Sequence, residues 1–126
     1  MKLTNSQLRE AVQQMWAAQG QKCKLCRLPL RYDANCVGDH CHKTGKLRGA
    51  IHRRCNSLLG KLENNAPRFG FNAPGQLEAF LYGVGDYMRA PHSHLIHPLF
   101  KTADEKRLAR NKRAVLKRAA TKKVAK

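Results

Sequence analysis

Acidic side chains are scarce in this 126-residue chain: eight Asp and Glu stand against twenty-five Lys and Arg, for a formal charge of +17 and a pI near 10.3. Such a surface repels itself unless a polyanion offsets it, which points to nucleic acid as the partner. Aromatics are few as well, with one Trp, three Tyr and four Phe in a chain that is 42% hydrophobic. That content supports one small domain with extensions rather than a large core, and a small core needs a staple. Long apolar runs are missing. The first thirty residues lack the stretch of a signal peptide and no segment is long enough to span a bilayer, so the expectation is a cytoplasmic protein with no membrane partner. An even cysteine count is missing too, and five cysteines in a reducing compartment read as ligands and buried thiols rather than disulfides.

What is present lies mainly between Cys23 and Asn56, where CKLC is followed by DHCHKTGKLRGAIHRRCN. Cys23 and Cys26 form one two-ligand knuckle, and His52 and Cys55 form another at the same spacing. Together they supply the four soft or borderline ligands of a tetrahedral Zn²⁺. Cys36 or Cys41 remains an alternative for one of them. With four protein ligands the site is closed, so Asp39, His40, His42 and Asn56 are surplus to a structural zinc and suggest an enzyme.

The elements around this segment can be read from periodicity. Residues 4–19 predict an amphipathic helix opened by a Thr4/Gln7 capping box, with Leu8, Val12, Met15 and Trp16 on its apolar face and Gly20 at its end. Residues 37–42 and 47–51 predict a hairpin turning at Lys43-Thr44-Gly45-Lys46, where Gly45 supplies a positive φ. Residues 55–65 predict a helix with Leu58, Leu59 and Leu62 inward, 66–74 a loop, and 76–88 a second amphipathic helix. The segment 101–126 holds eleven Lys and Arg against two acids. It can be helical but has too little apolar content to fold by itself, and reads as a phosphate-binding arm ordered on DNA. This divides the chain into an N-terminal helix (1–22), a core (23–66), a helical extension and loop (67–100) and a basic arm (101–126).

The surplus residues fit phosphodiester hydrolysis with one Mg²⁺ or Mn²⁺. A neutral imidazole at His40 can take a proton from water near neutral pH. Asp39 and the Asn56 carbonyl are hard oxygen ligands, and a cation they hold can neutralise charge on the scissile phosphate. His42, two residues on, can hold a phosphate or orient the base. Strict strand alternation would put Asp39 and His40 on opposite faces, so the strand must bend or be bulged there if both are to point at one phosphate. Lys43, Lys46, Arg48, Arg53 and Arg54 surround the pair and would meet flanking phosphates. His92, His94 and His97 read as a surface loop rather than another metal site, Cys36 and Cys41 as partly buried thiols, and Trp16 and Tyr87 as packing residues.

In order, the knuckle, Asp-His, Thr-Gly-Lys-x-Arg-Gly, second knuckle and Cys-Asn resemble the bacteriophage recombination endonuclease VII family, within the His-Asn-His nuclease group. The resemblance covers about residues 20 to 65. It implies an α+β fold with a zinc-stabilised ββα-metal nuclease core flanked by helices and a basic C-terminal segment. It also implies structural Zn²⁺ on Cys23, Cys26, His52 and Cys55, catalytic Mg²⁺ on Asp39 and Asn56, and His40 as general base supported by His42. The implied activity is cleavage of branched or distorted DNA, as in Holliday junction resolution, with a homodimer possible and the bacterial host cytoplasm as location. Two departures are visible: the family more often has Cys where this chain has His52, and its resolvases carry an acid one helical turn after the Asn, where this chain has Leu59. A weakly specific nicking nuclease of the same fold, or a non-catalytic zinc module that only binds nucleic acid, are the alternatives.

Overall fold

The computed structural model describes residues 1–125, which divide into two compact units, Met1–Gly85 and a second that begins at Asp86. The first unit is built on helix α1 (Asn5–Ala18), strands β1 (Cys36–His40) and β2 (Leu47–His52) and helix α2 (Arg53–Asn65). A 3₁₀ turn (Ala66–Phe69) follows within the expected loop, and then α3 (Gln76–Arg89), whose last turn falls in the second unit with α4 (Ala103–Ala125). The fold is α+β, and its only sheet among the described residues is the β1–β2 hairpin.

Helix α1 begins as its sequence predicts: the Thr4 hydroxyl accepts from the Gln7 amide, and the Gln7 side chain accepts from the Thr4 amide. It packs on both strands. Val12, Cys23, Leu30, Ala50 and Ile51 form the buried centre, with Met15, Trp16, Val37 and Cys55 against it. The close approach requires Gly38, because a Cβ there would lie 2.5 Å from Val12 Cγ2. Trp16 is a packing residue that also donates its indole N–H to the Leu30 carbonyl at 2.7 Å.

The free edge of β2 is closed by a side chain. Gln19, just past α1, accepts from the Ala50 amide at 2.9 Å and donates to the Ala50 carbonyl at 2.8 Å, imitating a neighbouring strand at a residue with no exposed surface. This pairing satisfies the Ala50 amide, which burial would otherwise leave orphaned, and adds a second donor to a carbonyl that also accepts from the Lys24 amide at 3.2 Å.

The hairpin is shorter than expected at one end. β1 stops at His40, and Cys41 to Lys46 form the turn, with Gly45 at φ 72°. His42 therefore stands in the turn rather than on the strand. The expected irregularity is present: Asp39 pairs with Gly49 while His40 pairs with Leu47, so Arg48 is an extra residue on β2. A bulge of this kind breaks alternation and re-aims the extra side chain.

Strand β2 runs into α2 with no intervening loop, so that helix starts two residues earlier than its apolar pattern suggests. In the second unit, α4 has no buried residue, yet it is continuous over 23 residues. Its start explains part of this: Thr102 and Glu105 exchange side-chain and backbone hydrogen bonds as a capping box, and Asp104 and Glu105 lie at the positive end of the helix dipole. No described helix is long and apolar enough to cross a membrane.

Candidate metal centre and the adjoining acid–base cluster

The first knuckle is a tight loop in which the Cys23 amide donates to the Leu28 carbonyl and the Arg27 amide donates to the Cys23 carbonyl. It presents two sulfurs to the end of β2, where His52 and Cys55 occupy the last strand position and the first turn of α2. One ligand atom from each of Cys23, Cys26, His52 and Cys55 lies within 4.8 Å of all the others. Cys26 Sγ is 3.3 Å and Cys55 Sγ 3.8 Å from His52 Nδ1. Sulfurs and nitrogens bound to one Zn²⁺ at about 2.0–2.3 Å stand at such separations from one another, so the quartet can hold a structural zinc.

The electrostatics suit a cation. Burial alone would push the Cys23 thiol up, but the amide N–H groups of Cys26, His52 and Leu25 outweigh it and bring it down to about 6. Cys55 moves the other way, raised to about 11 by burial and by the neighbouring Cys26 and Cys23 sulfurs. Neither Cys36 nor Cys41 joins the quartet. Burial raises Cys36, while hydrogen bonding to the Thr44 side chain lowers Cys41.

The second group of residues lies on the bulge side of the hairpin. Asp39 is 6% exposed, and Arg48 closes on it with Nε 2.7 Å from Oδ2 and Nη2 3.1 Å from Oδ1. Nη2 also donates to Glu63 Oε1 at 2.9 Å, and the other Glu63 oxygen lies 3.8 Å from His42 Nδ1. The hydrogen bond to Asp39 pushes the Arg48 pKa further up, so its positive charge is fixed. The exposed His40 ring stands beside His42, 5.4 Å between centroids. Asn56 is half-buried in the first turn of α2, a helix that packs on both strands.

Two basic residues expected on phosphates are engaged inside the protein. Arg48 is in the acid network, and Arg53 binds the Ala34 carbonyl through both Nε and Nη2. Lys43, Lys46 and Arg54 are exposed and take part in no ion pair among the described residues. His92, His94 and His97 are exposed and form no metal cluster among the described residues.

Glu63 was invisible to motif reading. One signal pointed to it: it is the only acid between Asp39 and Glu78 in an acid-poor chain. A recess of about 250 Å³ lies beside Asp39 and Arg48 and is lined also by Leu59, whose apolar side chain offers no ligand there.

A hairpin feeding directly into a helix, clamped by a Cys₃His quartet and carrying Asp-His at its bulge, defines a ββα metal-binding module. The recombination endonuclease VII family model matches residues 2–89, well over half of the sequence, and the chain belongs to that family. Membership makes it a nuclease acting on DNA. The match extends beyond the motif to include α1 and all of α3.

Proposed function

We propose that this chain is a divalent-metal-dependent endonuclease that hydrolyses phosphodiester bonds in branched or distorted DNA. The observation that carries the reading is the Asp39–His40 step at the bulge of a hairpin whose far end joins α2 through the Cys₃His quartet. Zn²⁺ in that quartet would fasten the knuckle to the junction of β2 and α2 and so fix the hairpin against the helix.

A hard oxygen set suits Mg²⁺ or Mn²⁺, and this chain offers the Asp39 carboxylate and the Asn56 carbonyl for it. Such an ion would supply charge neutralisation at the scissile phosphate and at the leaving oxygen. His40, exposed and unencumbered by an ion pair, is suited to take the proton of the attacking water. His42, held towards Glu63, supports the neighbouring imidazole and can contact a phosphate. Lys43, Lys46 and Arg54 would meet the flanking backbone.

The second unit adds reach. On α4, Lys106, Arg110, Arg113 and Lys117 recur at i, i+4, i+7 and i+11 and so share one face, spanning about 17 Å at 1.5 Å per residue. That spacing suits a row of phosphates. Assembly as a homodimer would let two cuts be coordinated on opposite strands.

The test compares a four-way junction with linear duplex of the same sequence, with and without Mg²⁺, for the wild type and His40→Ala. Metal-dependent cleavage favouring the junction, lost in His40→Ala with binding retained, is expected. Equal cleavage of both substrates would leave a weakly specific nicking nuclease. Undiminished cleavage by His40→Ala would remove the assigned base.

A further inference from the structure

The Asp39 carboxylate has both oxygens committed to Arg48, at 2.7 and 3.1 Å. Its side chain is 8% exposed, against 39% for Arg48 and 20% for Glu63. A divalent cation that takes an oxygen of Asp39 cannot share it with a fully engaged guanidinium, because two cations a few ångströms apart repel strongly in a partly dry site. The guanidinium has one alternative anchor, since Nη2 already donates to Glu63 at 2.9 Å. Leu59 lines the same recess and offers no ligand.

We propose that Arg48 is a built-in counter-cation that a divalent ion displaces from Asp39, and that Glu63 is the carboxylate that keeps the guanidinium when it moves. The inference rests on Asp39 being a ligand of the catalytic ion. Two features make the exchange workable. Arg48 is the extra residue of the bulge, so its side chain is not locked into the alternating pleat. A buried carboxylate left without a partner is strongly destabilising, so the hairpin needs a resident cation whenever no metal is present. Arg48 and Glu63 are thus positioning residues: they set how readily the ion loads, and Glu63, whose other oxygen faces His42, acts on the ion only through Arg48.

The experiment uses the full-length, zinc-loaded protein with Mn²⁺ alone as titrant, followed by calorimetry and by the shift in thermal unfolding midpoint. Arg48→Gln should bind Mn²⁺ about tenfold tighter or better than wild type, since it removes a competitor held by at least one charge-assisted hydrogen bond. It should also be less stable without Mn²⁺ and gain more from it. Glu63→Gln should weaken Mn²⁺ binding, because the guanidinium then has only Asp39. Adding Glu63→Gln to Arg48→Gln should change nothing further. Arg48→Lys, which keeps the charge but loses the fork, should fall between, and serves if Arg48→Gln loses zinc or helical signal.

Unchanged or weaker binding in both Arg48 variants overturns the inference while leaving Asp39 as a ligand, provided Asp39→Asn abolishes binding. A further loss on adding Glu63→Gln to Arg48→Gln also overturns it, by making Glu63 a ligand itself. Binding that survives Asp39→Asn, or is absent from wild type and Arg48→Gln alike, removes the ligand assignment and the exchange together.

Discussion

His52 lies between two partners of opposite kind: its Nε2 is 3.0 Å from the Pro29 carbonyl, while its Nδ1 faces the sulfurs of Cys26 and Cys55. A carbonyl can only accept, so Nε2 carries the proton and Nδ1 keeps its lone pair for a metal. His52→Cys should therefore retain one equivalent of zinc. His52→Ala should lose it together with much of the fold, as should chelation, at a cost of up to about 10 kcal/mol. Metal content and far-ultraviolet circular dichroism, taken together, check this; a fully folded His52→Ala protein without zinc contradicts it.

Acid should release the metal only at low pH. Because the folded Cys23 thiol is depressed to about 6, its stabilising contribution is complete above the ordinary value of 9.0 and lost as pH falls through 6. Cys55, raised to about 11, contributes stability below 9.0 that is lost as pH rises through 11. Bound Zn²⁺ stabilises the thiolate further, so zinc transfer to a chromogenic chelator should begin no higher than about pH 6, and acid-driven release already at pH 7–8 would contradict the Cys23 environment.

Removing the Gln19 clamp exposes a cost that no surface reading would suggest. Gln19→Leu leaves the fully buried Ala50 N–H without its partner, at about 1–3 kcal/mol, while the Ala50 carbonyl keeps the Lys24 amide at 3.2 Å. The urea midpoint of the zinc-loaded protein should fall accordingly. An unchanged midpoint would mean that water takes over as acceptor for the Ala50 N–H.

Gly38→Ala should destabilise by about 1–3 kcal/mol through overpacking against Val12. Combined with Val12→Ala, the loss should be smaller than the sum of the two single losses, because the second change removes the atom in conflict. Strict additivity in a double-mutant cycle would place the cost elsewhere.

The basic face of α4 predicts a salt signature. Replacing Lys106, Arg110, Arg113 and Lys117 by Gln should weaken DNA binding and flatten the plot of log affinity against log salt by about 0.9 for each phosphate that is no longer neutralised. Zinc content should not change. Identical slopes for the variant and the wild type would remove this helix from the interface.

Much of the fold was legible because its signals are local. The Thr4/Gln7 box, the Gly45 turn and the two knuckles are each written within a few residues, and all are present in the structure. The need for an irregularity was also readable, since alternation and chemistry disagreed at Asp39 and His40, but the extra residue is Arg48 on the facing strand β2 rather than one on the Asp39–His40 strand. Interactions set by long-range packing escaped. Nothing local marks Gln19 as an edge partner for Ala50, Arg53 as a brace on Ala34, or Glu63 as the second acid on Arg48. That the arm can be helical was readable; the capping box and terminal charges that start its helix were not singled out.

The seamless passage from β2 into α2 means that one ruler sets the core, the zinc ligands and the amide of Asn56. Insert a single residue between Ile51 and Cys55, and everything downstream swings about 100° around the helix axis. Such a length change cannot be absorbed locally, because there is no slack between the residues that pack and the residues that bind. A change of length at the hairpin turn or beyond α2 would leave this register intact, whereas one between Ile51 and Cys55 would break it.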